Sequence, residues 1–180
     1  TADSGRMTFG HVRLAIQDLT AAGHQPMLSM SGRYCITFNG EIYNFRKVRT
    51  ELESLGHTFV SHSDTEVILH AYRQWGRECI SRLHGMFAIC IFDAESKKLL
   101  LIRDRAGVKP LFYYWKDGLL LFASELKSLH RHPAFVKTLD ADALSLYFQF
   151  GYIPAPYSIF SDCHKLKPGH SLELDLMNRG

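Results

Sequence analysis

Met86-Phe-Ala-Ile-Cys-Ile-Phe92 is an unbroken apolar run of β-branched and aromatic residues. A half-exposed strand alternates apolar with polar positions, so a run apolar on both faces reads as a strand covered on both sides. The polar stretch Asp93 to Lys97 predicts a turn, and Leu99 to Ile102 predicts the returning strand. Upstream, Tyr34-Cys-Ile-Thr-Phe38 is short, apolar and rich in β-formers, and it stops at Asn39-Gly40, a strong turn signal. That strand delivers Asn39, Gly40 and Glu41 at its end. Downstream, Phe112 to Trp115 and Leu119 to Ala123 flank Lys116-Asp117-Gly118, where Asp-Gly favours a tight hairpin.

Two helices fall between the strand signals. From Asn44 to Leu55 the apolar residues Phe45, Val48, Leu52 and Leu55 keep a helical period, and Gly56 can close the helix in the left-handed conformation. Ser63-Asp64-Thr65-Glu66 fits a capping box, with Ser63 serving the third helical amide and Glu66 reaching back. Val67, Ile68, Ala71, Tyr72 and Trp75 then form a buried stripe, which places Asp64 at a helix mouth. The sum is an α+β class, with two stacked antiparallel β-sheets flanked by helices. Neither a Gly-x-Gly-x-x-Gly string nor a Walker loop occurs. Residues 1–150 read as one domain. From Gly151 the texture changes, with the prolines of Tyr152-Ile-Pro-Ala-Pro-Tyr157 and the turn Lys167-Pro168-Gly169, so 151–180 reads as a linker ending in a half-exposed edge strand, Ser171 to Leu176.

Composition excludes several classes. The 180 residues are 46% hydrophobic and 22% charged, which is globular rather than disordered, collagenous or coiled-coil. A chain of this length buries roughly 70% of its unfolded surface and needs no disulfide or metal staple. No stretch approaches the roughly 20 apolar residues of a membrane helix, and no signal-peptide pattern opens the chain, so no membrane association and a cytoplasmic location are expected. Net charge is only +3 with scattered basic residues, so no nucleic-acid partner is expected. The four cysteines, Cys35, Cys79, Cys90 and Cys163, are widely separated and read as reduced thiols. The ten histidines show no His-Glu-x-x-His spacing, and no metal site is expected.

A pocket for a free amino acid needs a guanidinium for the α-carboxylate, carboxylates for the α-ammonium, and amide donors for a side-chain carbonyl under attack. Arg13 can supply the fork, Asp64 and Glu41 can meet the ammonium, and Asn39 with the Gly40 backbone N–H can form an oxyanion hole. On pattern alone the same residues also fit an ordinary turn, a helix-start acid and a surface cation.

Longer strings decide between these. Gly10-His-Val-Arg-Leu-Ala-Ile16, Gly23-His-Gln-Pro-Met27, Phe38-Asn-Gly-Glu-Ile-Tyr-Asn44, Ser63-Asp-Thr-Glu-Val-Ile68, Arg103-Asp-Arg-Ala-Gly-Val-Lys-Pro-Leu111 and Phe122-Ala-Ser-Glu-Leu-Lys127 occur in this order. Together with Tyr152 to Phe160 and His164 to Gly169, they resemble the glutamine amidotransferase domain of glutamine-hydrolysing asparagine synthetases, over essentially the whole chain. The resemblance implies an N-terminal nucleophile (Ntn) hydrolase fold, a four-layer sandwich. It implies Arg13 as carboxylate clamp, Asn39 and Gly40 as oxyanion hole, Glu41 and Asp64 as ammonium partners, and Leu14 and Ile16 as pocket lining. Asp104, paired with Arg103 or Arg105, is expected to be structural. The implied function is hydrolysis of glutamine to glutamate and ammonia, for amidation of aspartate or a related carboxylate. No cofactor is expected for this domain; ATP and magnesium belong to a synthetase domain outside it. Glutamine, that synthetase domain and a homodimer are the expected partners.

Family members open with a cysteine whose thiolate attacks glutamine and whose own amine is the base. No cysteine lies near this amino end, so the nucleophile and a leading strand are expected to be missing, and the chain by itself to be inactive. Cys35, inside a strand, reads as a structural thiol. Two alternatives accompany the main expectation: a catalytically silent unit that binds glutamine or a partner, and a Thr1-dependent Ntn hydrolase.

Overall fold

The computed structural model describes residues 2–3, 7–12 and 21–177. Its strands are β1 (Ala2–Asp3), β2 (Thr8–Phe9), β3 (Met27–Leu28), β4 (Tyr34–Ile42), β5 (Gly85–Asp93), β6 (Lys98–Arg103), β7 (Phe112–Lys116), β8 (Leu119–Ala123), β9 (Cys163–Lys165) and β10 (Ser171–Asp175). The α-helices are α1 (Phe45–Ser54), α2 (Asp64–Trp75), α3 (Cys79–Arg82), α4 (Leu126–Leu129) and α5 (Ala141–Phe150). One antiparallel sheet runs β10-β6-β5-β4-β3, a second runs β8-β7-β9, and β1 pairs with β2.

The doubly covered strand is β5, buried without a break from Phe87 to Asp93. Strand alternation sorts its residues to two sides. Phe87, Ile89 and Ile91 join Ile36, Phe38 and Ile42 of β4 and Leu100 and Ile102 of β6 in a cluster with Ile68 and Leu69 of α2. Ala88, Cys90 and Phe92 join Cys35, Leu99 and Leu101 against Tyr113 of β7 and Leu120 and Phe122 of β8. Beyond the smaller sheet, Tyr114 and Cys163 pack with Leu129 of α4 and with Phe135 and Phe160. Helices, sheet, sheet and an outer helical layer are thus stacked in the expected order. Each fully buried large apolar side chain stabilises this stack by about 1.5–3 kcal/mol.

Local details differ from the expectations in instructive ways. The Lys116–Gly118 hairpin forms, with Asp117 at φ 50° and Gly118 at φ 75°, the left-handed pair a tight hairpin requires. At the start of α2, Ser63 Oγ accepts from Thr65 N at 3.1 Å, the second helical amide rather than the third. Glu66 does not reach back to Ser63; its carboxylate accepts from Val60 N at 2.9 Å and from Ser61 N and Oγ at 2.7 Å each. The Ser61 hydroxyl meets the Ser63 N–H instead, at 3.2 Å, which frees Glu66 to hold the incoming loop. Likewise Asp104 pairs with neither Arg103 nor Arg105. Its carboxylate accepts from the amides of Phe87, Ala106, Val108 and Lys109 at 2.9–3.2 Å, because the loop after β6 turns its N–H groups inward and leaves them without carbonyl partners. Burial pushes this carboxyl up, but the amides prevail and hold it below the usual aspartate value. Arg103 serves the complementary group, donating to the carbonyls of Lys109, Gly107 and Leu166. The role is structural, as expected, with backbone partners in place of the ion pair.

Residues beyond 150 enter both sheets: β9 pairs with β7, and β10 is the edge strand beside β6. No described helix is long and apolar enough to cross a membrane.

Candidate functional site

Strand β4 carries Asn39 and Gly40 into a cavity of about 900 Å³ between the two sheets. Gly40 has to be glycine here. A Cβ would overlap the Met86 carbonyl oxygen on β5 and sit 2.8 Å from Phe87 Cα, so only the bare backbone fits against the neighbouring strand. Gly85 answers it across the ladder, where a Cβ would overlap the Glu41 carbonyl oxygen. Asn39 Nδ2 donates to Ser124 Oγ at 2.9 Å, a bond from the larger sheet to the residue after β8. With Nδ2 as the donor in this bond, its second hydrogen is left for another acceptor.

Asp64, the first residue of α2, is 5% exposed and lines the same cavity. Its Oδ2 accepts from Ile42 N at 3.1 Å, so the end of β4 and the start of α2 are tied through it. Burial pushes its carboxyl above the usual aspartate value, the amides of Ile42, Thr65 and Asp64 oppose that rise, and the charge of Glu41 adds to it. Glu41 is not among the cavity-lining residues, yet it stands close enough to Asp64 to couple with it electrostatically. A buried carboxylate in the cavity wall with a second one coupled to it is what a bound ammonium would neutralise. Arg13, Leu14, Ile16 and Thr1 lie outside the described residues.

The structure adds residues that pattern reading passed over. Gln25 is buried and bridges three segments: its Oε1 accepts from Phe38 N at 2.6 Å, and its Nε2 donates to Thr65 Oγ1 at 3.2 Å. Ser124 and Lys109 also line the cavity, Lys109 held there through its backbone by Asp104 and Arg103. All three sit inside strings quoted above, which was the only signal for them.

None of the four cysteines is a poised thiolate. Each is buried, and burial raises Cys35, Cys163 and Cys79, the last to about 12. Cys90 lines the cavity, but burial puts its thiol well above the usual value. Among the described residues, no group of three or more His, Cys, Asp or Glu could hold a metal ion. The cavity wall therefore combines the Asn39 amide and the Gly40 backbone with a buried acid, a set of groups suited to an amino acid with a polarised side-chain carbonyl.

A family profile described as "Glutamine amidotransferase domain" matches residues 1–179. A putative glutamine-hydrolysing asparagine synthetase 2 of Methanocaldococcus jannaschii is 39% identical over 187 aligned residues, covering 94% of this chain and 36% of that protein. Asparagine synthetase 3 of Bacillus subtilis, also glutamine-hydrolysing, is 40% identical over 167 residues, covering 91% of this chain and 27% of that protein. The chain thus spans about a third of these relatives or less. Among solved structures, the glutamine phosphoribosylpyrophosphate amidotransferase of B. subtilis, complexed with ADP and GMP, superposes with a TM-score of 0.57 at 26% identity. That match covers 67% of this chain and 28% of the other.

Proposed function

Because the chain belongs to the glutamine amidotransferase domain family, we propose that its inter-sheet cavity takes glutamine and is the place where the side-chain amide is hydrolysed. The observation that carries this is the convergence of the Asn39 amide, the Gly40 backbone and the buried Asp64 carboxylate on one cavity. Asn39 Nδ2 and the Gly40 N–H would hold the oxyanion as the carbonyl carbon becomes tetrahedral, when its charge is largest. Asp64, helped by the charge of Glu41, would anchor the α-ammonium, and Arg13 the α-carboxylate.

The attacking group is proposed to be the leading cysteine that the resemblance implies, since the four cysteines present are buried with raised pKa values. Attack forms a C–S bond, collapse of the intermediate breaks the C–N bond, and the departing nitrogen gains a proton to leave as ammonia. Water then releases glutamate and restores the thiol. Without that cysteine these 180 residues would bind glutamine but not turn it over. The relatives' names and greater lengths support a longer polypeptide. In it, residues 151–180 would lead toward a synthetase domain that passes the ammonia to aspartate or a related carboxylate activated by ATP with magnesium. The pocket residues do not favour a silent binding unit over hydrolysis, and the Thr1 of the other alternative lies outside the described residues.

Removing a charge-assisted contact costs about 1.5–3 kcal/mol, so Asp64→Ala in the intact polypeptide should raise KM for glutamine by about 12- to 160-fold. A KM equal to wild type would take Asp64 out of the pocket.

A further inference from the structure

Helix α5 is a fully formed helix on which, among the described residues, almost nothing packs. Asp140 Oδ1 caps it by accepting from Ala143 N at 2.9 Å, and Gly151 closes it in the left-handed conformation. Of its residues only Ala143 is buried. Leu144, Tyr147 and Phe148, at i, i+3 and i+4, form one exposed stripe, with Phe148 at 78% exposure, and Phe150 and Tyr152 extend it. A helix of ten residues is marginal in water by itself, and helices of this length take most of their stability from packing. No charged residue occurs between Asp142 and Asp162. That absence matches the core of a lasting interface rather than the polar rim of a transient one. The exposed parts of these side chains amount to several hundred Å² on one face, on the scale of a contact between domains of one chain.

We propose that α5, with Tyr152 beside it, is the seat on which a further part of the same polypeptide docks. The inference rests on the proposal that this chain is the amidotransferase portion of a longer enzyme. Length points to the occupant: the greater part of each longer relative lies outside the stretch that this chain matches. A covalently joined partner acts at an effective concentration in the mM range, and needs none of the charges that would steer a separate protein to the helix.

The test is amide hydrogen exchange across residues 141–151 of the intact polypeptide, at two protein concentrations tenfold apart. Docking within one polypeptide predicts slow exchange that does not change with concentration. It also predicts exchange faster by about 100-fold or more in Phe148→Glu, whose charge would have to be buried unpaired. If Phe148→Glu fails to fold, Phe148→Ser gives the smaller change in the same direction, and the wild-type result stands on its own. Free exchange in wild type would overturn the inference. Protection that appears only at the higher concentration, with a dimer in sedimentation, would overturn it in favour of a second copy. Glutamine hydrolysis measured on the same preparation separates the two proposals. Activity with an unprotected α5 sinks only the docking, and a protected α5 without glutaminase sinks only the function.

Discussion

Ser124 makes a sharp test of how Asn39, the proposed oxyanion donor, is held. Asn39 carries the donor group, and the 2.9 Å bond from its Nδ2 to Ser124 Oγ tethers the side chain across the sandwich. Ser124→Ala removes one neutral hydrogen bond, about 0.5–1.5 kcal/mol, and lets the amide rotate. If that energy is expressed in the transition state, kcat falls about 2- to 12-fold while KM changes little. Asn39→Ala removes the donor itself and should lower kcat by about two orders of magnitude. The double variant should then be no worse than Asn39→Ala, because Ser124 acts only through Asn39. The assay is steady-state glutamate release by the intact polypeptide and its three variants. Additive losses in the double variant would refute the positioning role, as would a Ser124→Ala loss confined to KM.

Two further outcomes follow from buried acids. Asp104→Ala strands the amides of Phe87, Ala106, Val108 and Lys109, so the denaturation midpoint should report a loss of about 3–5 kcal/mol, and a loss below about 1 kcal/mol would show that water replaces the carboxylate. In acid, Glu66 and Asp93 set the trend. Burial pushes both carboxyls up, but hydrogen bonds from His70, Ser61 and Val60 for Glu66, and from Arg33, Glu95 and Ser96 for Asp93, hold each at about 2. Folded values below the ordinary 4.5 and 3.8 mean stabilisation fully present above pH 4.5 and lost as pH falls toward 2. Asp64, whose carboxyl is raised, works in the opposite direction and blunts the loss. Urea denaturation at pH 7, 4.5, 3 and 2 checks this, and stability that stays flat below pH 4.5 would contradict it.

The layers were readable from the apolar runs, because Tyr34 to Phe38 of β4, Phe87 to Phe92 of β5 and Leu99 to Ile102 of β6 are apolar throughout except at Thr37. The start of α2 was readable too, since Ser-Asp-Thr-Glu marks a helix terminus, whereas Asn39-Gly40, expected to be the turn that ends the strand, continue β4 in register with Ala88 and Phe87 as far as Ile42. Contacts made across the sandwich were not readable. The Asn39–Ser124 bond joins residues 85 apart, and Gln25 meets Thr65 from 40 residues away, pairings that exist only once the sheets are stacked. Glu66 and Asp104 failed as expectations in the same way. Sequence spacing put a plausible partner nearby, while the folded loop presented backbone amides with a stronger claim. The emptiness around α5 was equally hidden, since its composition is that of a core helix.

The most direct test of the central claim is the rate of glutamate formation from glutamine by the intact polypeptide, with and without Asn39→Ala. Glutamine hydrolysis in the inter-sheet cavity predicts a working wild-type enzyme, and a kcat about 100-fold lower in the variant at nearly unchanged KM. An Asn39→Ala protein that turns over glutamine at the wild-type rate would mean that the reaction, if it occurs, is not carried by this cavity.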